Sequence, residues 1–199
     1  FVFVVCIVII YPYFVMFTTA AKTDAEMYAA KMTILPIEWQ WSNFINAWKA
    51  APVFKYFLNS LIVAGGATIV AIGCGIPAAY AMARMRFKGK GFFLGAVIMS
   101  QMFSPVVLLV GIYKLMVGMN LSNSLLGLVL LNAAFNQAFA IWLLRGTFLT
   151  ISSEMEQAAK IDGCGTVQAL LRVLLPVSAP GIVTALIFVF INAWNEYTI

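Results

Sequence analysis

Histidine is absent from this chain, and charged residues are scarce: only 10% of its 199 residues are Asp, Glu, Lys or Arg. A soluble domain carries about 25%. With so few charges the chain cannot cover a surface facing water, which excludes an ordinary soluble globule. Cys6, Cys74 and Cys164 lie far apart, with no CxxC pair. That spacing and the missing histidine exclude a conventional zinc site and a disulfide framework. Cys6 and Cys74 sit in apolar runs, where they read as small hydrophobes. No Gly-x-x-x-x-Gly-Lys-[Ser/Thr] segment occurs, so the chain has no phosphate loop of its own. An intramembrane enzyme would need paired Asp residues or a Ser with a base. Among the acids, only Glu196 lies within an apolar run.

What is abundant is hydrophobic, at 63% of residues with a mean hydropathy of +0.98. Apolar runs of membrane-spanning length recur. They are continuous rather than alternating, which argues against a β-barrel, and lipid demands helices that satisfy their own backbone groups. The fold class expected is therefore an all-α polytopic transmembrane helical bundle. Five spans are visible: about 1–19, 56–83, 92–117, 123–144 and 177 to the end. The first residue, Phe1, already lies inside an apolar run, and Ile199 closes another. The chain thus reads as a single transmembrane domain over 1–199, lacking sequence at both ends. The second run is rich in small residues from Gly65 to Ala79, which let helix backbones approach closely in lipid. Pro77 is expected to kink it, and Pro105 falls inside the third span.

The polar stretches set the orientation. A Trp-rich segment from Ala20 to about Phe54 holds Lys22, Asp24, Glu26, Lys31, Glu38 and Lys49. Its Trp39, Trp41 and Trp48 suit an interfacial linker. After the second run comes Arg84-Met-Arg-Phe-Lys-Gly-Lys90, the densest positive cluster. Clusters of this kind mark the cytoplasmic side, which places the segment after the fourth run there as well. The formal net charge of +5 follows from such flanking cations and is not a nucleic-acid signal.

That segment, about 146–177, is a polar island between apolar runs. Ser153-Glu-Met-Glu156 has the form of a capping box, with Ser153 as N-cap, and a helix over 154–161 follows. Asp162-Gly163-Cys164-Gly165 breaks it. Thr166 is expected to cap a second helix over 167–174, and Pro176 and Pro180 redirect the chain. The product is a helix–turn–helix hairpin whose apolar residues Met155, Ala158, Ala159 and Ile161 are small or flexible. It suits docking into a partner's groove or plain packing on its own bundle.

The island resembles the EAA loop of permease subunits in binding-protein-dependent ABC importers. That pattern is Glu-Ala-Ala, two residues, Asp-Gly, nine residues, Ile, one residue, Leu-Pro. Here Gln157-Ala158-Ala159 precede Lys160-Ile161 and then Asp162-Gly163. Val173, Leu174 and Leu175-Pro176 follow without a gap. Two positions depart: Gln157 replaces the Glu, with Glu156 one step earlier, and Val173 replaces the Ile. Leu58-Asn-Ser60, Ala78-Ala-Tyr80, Arg86-Phe-Lys-Gly89, Ile141-Trp-Leu-Leu-Arg-Gly146 and Ala193-Trp-Asn-Glu196 resemble the carbohydrate-uptake, maltose-permease-like branch.

The resemblance implies six spans, the sixth lying beyond Ile199. It implies a second permease subunit in a heterodimer, two ATP-binding subunits and an extracytoplasmic solute-binding protein. The setting would be a bacterial or archaeal inner membrane. ATP and Mg would sit on the partner ATPase, with no cofactor on this chain. Glu156, Gln157, Ala158, Ala159, Asp162, Gly163, Leu175 and Pro176 would form the ATPase contact. With Gln157 in the Glu position, coupling should depend more on hairpin shape than on that charge.

Polar residues inside apolar runs mark a candidate substrate path: Asn132, Asn136 and Gln137 in the fourth run, and Asn192, Asn195 and Glu196 in the fifth. Amides, with the rings of Trp194 or Tyr197, suit a sugar or polyol. Interhelical hydrogen bonding is the plainer use of such groups. The alternatives are a passive channel, a membrane scaffold, or an ABC permease for a non-sugar solute.

Overall fold

The computed structural model describes residues 2–29, 33–103 and 105–197. Lys31 lies outside the described residues, as do Phe1 and Ile199. Every regular element among the described residues is helical. The chain divides into two compact units, Phe1–Phe57 and Leu58–Ile199.

The first unit starts with α1 (Val2–Ala20), an apolar helix whose side chains are almost all exposed. Such a surface suits lipid or other helices rather than water. The polar segment after it folds back on the end of α1. In α2 (Asp24–Met27) the Glu26 carboxylate accepts the Thr33 hydroxyl at 2.6 Å and the Ile37 N–H at 3.1 Å. Lys22, which is buried, donates to the Thr33 carbonyl. From α3 (Ser42–Ala50), the Asn43 amide donates to the carbonyls of Ala20 and Lys22 at 3.1 and 2.8 Å. Trp39 stacks on Trp41, and Phe17 meets both Trp41 and Phe44. The expected linker is thus a folded aromatic knot, its indoles still half exposed as interface anchors would be.

The second unit is organised by α4 (Val53–Arg84), which belongs to it from Leu58 onward, α7 (Leu125–Thr150) and α11 (Ala179–Trp194). The core joins Ala64, Ala67, Ala71 and Ala79 of α4 to Ala133, Ala140, Leu144 and Phe148 of α7 and Ala185, Val189 and Ala193 of α11. Small residues dominate because packing, not water exclusion, holds helices together in lipid. The helix α4 continues through Pro77 without interruption.

Two expectations about the spans change. The third run is not one helix but two, α5 (Lys90–Ser100) and α6 (Pro105–Gly118), of 11 and 14 residues. Pro105 opens α6, where its missing N–H and fixed φ do least harm. The amide of Gln101, in the break, donates to the Phe135 carbonyl of α7 at 3.1 Å. The fourth span begins at Leu125 and runs to Thr150, so residues 146–150 belong to its last turn rather than to the island. Ser124 caps it, accepting from the Gly127 N–H at 3.0 Å. Among the described residues, three helices are long and apolar enough to cross a membrane, α1, α4 and α7. The segment 166–177 and α11, which meet at an 80° bend, make a fourth if taken together as one span.

Candidate functional site

The island after α7 forms the expected hairpin. Its first helix, α8, covers Ser153–Ile161. The cap is Ser152, one residue before the expected Ser153, and its hydroxyl accepts from the Glu154 N–H at 3.2 Å. The capping box is not formed, because Glu156 is engaged elsewhere. Gly163 turns the chain with φ +86°, a conformation that side chains with a Cβ disfavour. Helix α9 (Thr166–Ala169) starts from Gly165 rather than Thr166. The Gly165 N–H donates to the Gln168 side chain at 3.2 Å. A π-helical turn over Leu170–Leu174 and α10 (Leu175–Val177) carry the chain back to the bundle. Such turns are rare and often functional. This one places Leu170 and Leu174 in the core.

The two sides of α8 differ sharply. Glu156 is only 5% exposed. One of its oxygens accepts from the Tyr80 hydroxyl and from Lys160 Nζ, both at 2.8 Å. The other lies 3.6 Å from Arg84 Nε. Burial pushes this carboxyl's pKa up, but the hydrogen bonds from Lys160 and Tyr80, with the positive charges of Lys160 and Arg84, outweigh it and hold the pKa below its ordinary value. Ala159 is buried on the same side. Gln157, Ala158, Asp162 and Gly163 are exposed, as is Pro176, while Leu175 is half-buried. Beside them stand Ile161, 86% exposed, and Val167, 67% exposed. The residues singled out in the island therefore do not share one surface. Glu156 and Ala159 are buried, Leu175 packs at the edge of the core, and the rest face outward. Tyr80 and Arg84, the partners of Glu156, escape sequence reasoning because they lie on another helix. The only signal was their i, i+4 spacing at the end of α4.

The intramembrane polar residues also separate. A cavity of about 230 Å³ is lined by Asn59, Ser60, Asn132, Trp194 and Glu196 among others. Asn132 and Glu196 are thus brought together, joined by Asn59 and Ser60, a polar pair near the start of the second run. Asn136 is buried, and its amide donates to the Asn132 backbone carbonyl at 2.9 Å. Asn132 donates likewise to Leu128 at 3.0 Å. Gln137 lies near Gly75 on α4. Asn192 and Asn195 are exposed and do not line the cavity.

Several apolar helices of membrane-crossing length, interrupted by an amphipathic hairpin, define a multi-pass helical membrane protein. Residues 71–199 match the family described as binding-protein-dependent transport system inner membrane component, and the chain belongs to it. It is 36% identical over 197 residues to the probable ABC transporter permease protein YurM of Bacillus subtilis, covering 99% of this chain and 65% of that protein. It is 34% identical over 188 residues to the diacetylchitobiose uptake system permease protein DasC of Streptomyces coelicolor, covering 94% and 68%. The same fold occurs in the crystal structure of a bacterial ABC transporter involved in the import of the acidic polysaccharide alginate. There the TM-score is 0.82 at 21% identity, with 98% of this chain and 69% of that chain covered.

Proposed function

We propose that this chain is a membrane-spanning subunit of an ATP-driven importer and that the 153–177 hairpin is its contact with an ATPase. The observation that carries this reading is the outward face of the hairpin. Ala158, Ile161 and Val167 expose apolar surface beside Gln157, Asp162 and Gly163, although the hairpin's one buried acid is satisfied internally. An apolar helix face without a covering element is what a partner's groove takes. Without a phosphate loop here, nucleotide hydrolysis falls to that partner. The cations of 84–90 support a cytoplasmic position for this end of the bundle. In this reading a second permease, two ATP-binding subunits and an extracytoplasmic binding protein complete the assembly, and the family's description as binding-protein-dependent supports the last of these.

The cargo we infer is a sugar or related polyol. The cavity at Asn59, Ser60 and Asn132 offers amide and hydroxyl groups beside the Trp194 indole, a set suited to hydroxyl-rich rings. Relatives are named for diacetylchitobiose and trehalose transport, which supports the same class. The chain works as a transport subunit rather than an enzyme.

The test is reconstitution. The full-length chain should retain an ATP-binding subunit on purification, and Gly163→Pro should abolish ATP-dependent uptake without preventing membrane insertion. Normal coupled uptake by Gly163→Pro would refute the docking role.

A further inference from the structure

Beside the apolar contacts of Leu170 and Leu174, one charged cluster ties the first helix of the hairpin to the bundle. Tyr80 and Arg84 lie one turn apart at the end of α4. The Tyr80 hydroxyl reaches Glu156 at 2.8 Å and Arg84 Nε reaches it at 3.6 Å. The Arg84 fork also donates from Nη2 to the Ile151 carbonyl at 2.6 Å, where α7 ends. Both the entry to the hairpin and the middle of α8 are therefore tied to the last turn of α4. Arg145 of α7 adds a third tie, donating to the Met82 carbonyl at 3.4 Å. Tyr80 itself is buried edge-on against Phe148, so the attachment point is part of the packed core.

This arrangement does more than satisfy a carboxylate. Glu156 and Gln157 are adjacent, so they project about 100° apart on the helix. The inward position carries the charge and the outward one does not. A docking face needs only shape, but a lever needs a rigid attachment behind it. Buried, charge-assisted hydrogen bonds give a fixed geometry that apolar contact alone does not.

We propose that Glu156 is a positioning residue that clamps α8 to α4 through Tyr80 and Arg84. Displacement of the hairpin by a docked ATPase is then delivered to α4, whose opposite end carries Asn59 and Ser60 of the cavity. The proposal rests on the docking reading above and adds the route by which motion enters the membrane.

The experiment uses the full-length chain assembled with its ATPase and partner subunits in proteoliposomes. Glu156→Gln and Tyr80→Phe are compared with the parent protein. Tyr80→Phe deletes one hydroxyl and keeps the ring, so it serves if Glu156→Gln fails to assemble. A thiol-reactive fluorophore at a cysteine replacing the exposed Phe87, in a background lacking the three native cysteines, reports on the end of α4.

The expected result is an intact complex that still hydrolyses ATP. Uptake per ATP should fall by about tenfold, within the range of ordinary coupling energies, and the nucleotide-dependent signal at position 87 should be lost. Unchanged uptake per ATP in both variants overturns the clamp. Loss of the ATPase from both purified variants also overturns it, because Glu156 would then only shape the docking face. A parent complex that retains no ATPase contradicts the docking reading instead, so the two failures are distinct.

Discussion

Gly181 and Thr147 meet where α11 crosses α7, so closely that a Cβ on Gly181 would lie 2.2 Å from Thr147 Cγ2 and 2.5 Å from its Oγ1. Thr147 is β-branched and stiff in a helix, and its hydroxyl donates back to the Leu143 carbonyl at 3.2 Å. The contact sits just after the 80° bend and sets how near the hairpin's exit lies to α7. Gly181→Ala should therefore destabilise the bundle by roughly 1–3 kcal/mol, as overpacking does. Thr147→Ala should restore part of that loss, since only its Cβ, at 2.9 Å, remains close. Thermal unfolding of the purified protein in detergent reads both effects. No loss from Gly181→Ala would mean that the helices separate freely there.

Gly163 makes a second backbone demand. Its φ of +86° is open to glycine and, at some cost, to asparagine. Gly163→Asn should keep most coupled uptake. Gly163→Ala should cost roughly 1–2 kcal/mol of local strain, and Gly163→Pro, locked near −65°, should abolish coupling. Ordering of uptake rates as Gly, Asn, Ala, Pro is the outcome expected. A proline variant as active as the alanine one would show that the turn's conformation is not needed.

How much of this could be read from the chain alone depends on distance along it. The helical character of the apolar runs, the small-residue face of α4 and the Asp162-Gly163 turn are local patterns, and each appears where its residues predict, although the run boundaries shift. The break at Gln101–Phe103 is not legible in the sequence, because continuous hydrophobicity hides it and only Pro105 hints at it. The cap moved from Ser153 to Ser152 because Glu156, the expected partner in a capping box, is drawn to Tyr80, 76 positions away. Helical spacing says that Glu156 and Gln157 face different ways. It does not say which of them faces the bundle. The same limit applied to Asn59 and Ser60, which join Asn132 and Glu196 only once three helices have packed.

The state of Glu156 has a pH consequence with a definite sign. Its carboxyl in the folded hairpin is held below its ordinary pKa. The folded state thus binds fewer protons than the unfolded one at mildly acid pH, and the clamp's contribution is fully present above the ordinary value of 4.5. It should be lost only as pH falls through the lower folded value. The protection factors of the α8 amides, which allow for the slower intrinsic exchange in acid, should therefore hold from neutral pH down to about the ordinary carboxylate value and fall as pH drops further toward the lower folded value. Lys160→Met removes one hydrogen bond and one charge, so loosening should start at higher pH. A variant that loosens at the same pH as the parent would mean that Lys160 does not help to hold the carboxylate charged.

The exposed face makes a separate prediction. Ile161 and Val167 contribute little to the fold, being 86% and 67% exposed. Ile161→Asp and Val167→Asp should leave melting temperature and membrane insertion unchanged. Each should weaken ATPase retention by tenfold or more if it lies at the centre of the contact, on the order of 1.4 kcal/mol. Pull-down of the ATP-binding subunit at graded concentration measures this. Retention unchanged in both variants would move the contact off this face.

The cavity yields a prediction that leaves the hairpin untouched. Asn59 and Ser60 border it with Asn132, Trp194 and Glu196, far in sequence from the docking residues. Asn59→Leu replaces a hydrogen-bonding amide with an apolar group of similar size. A bound polyol would then leave hydroxyls unpaired, at about 1–3 kcal/mol for each buried group. Uptake should fall by one to two orders of magnitude on that energy scale, while ATPase retention and basal hydrolysis hold. Uptake unaffected by Asn59→Leu, at saturating binding protein, would place the sugar's route away from this cavity and leave Asn59 as a helix-packing residue.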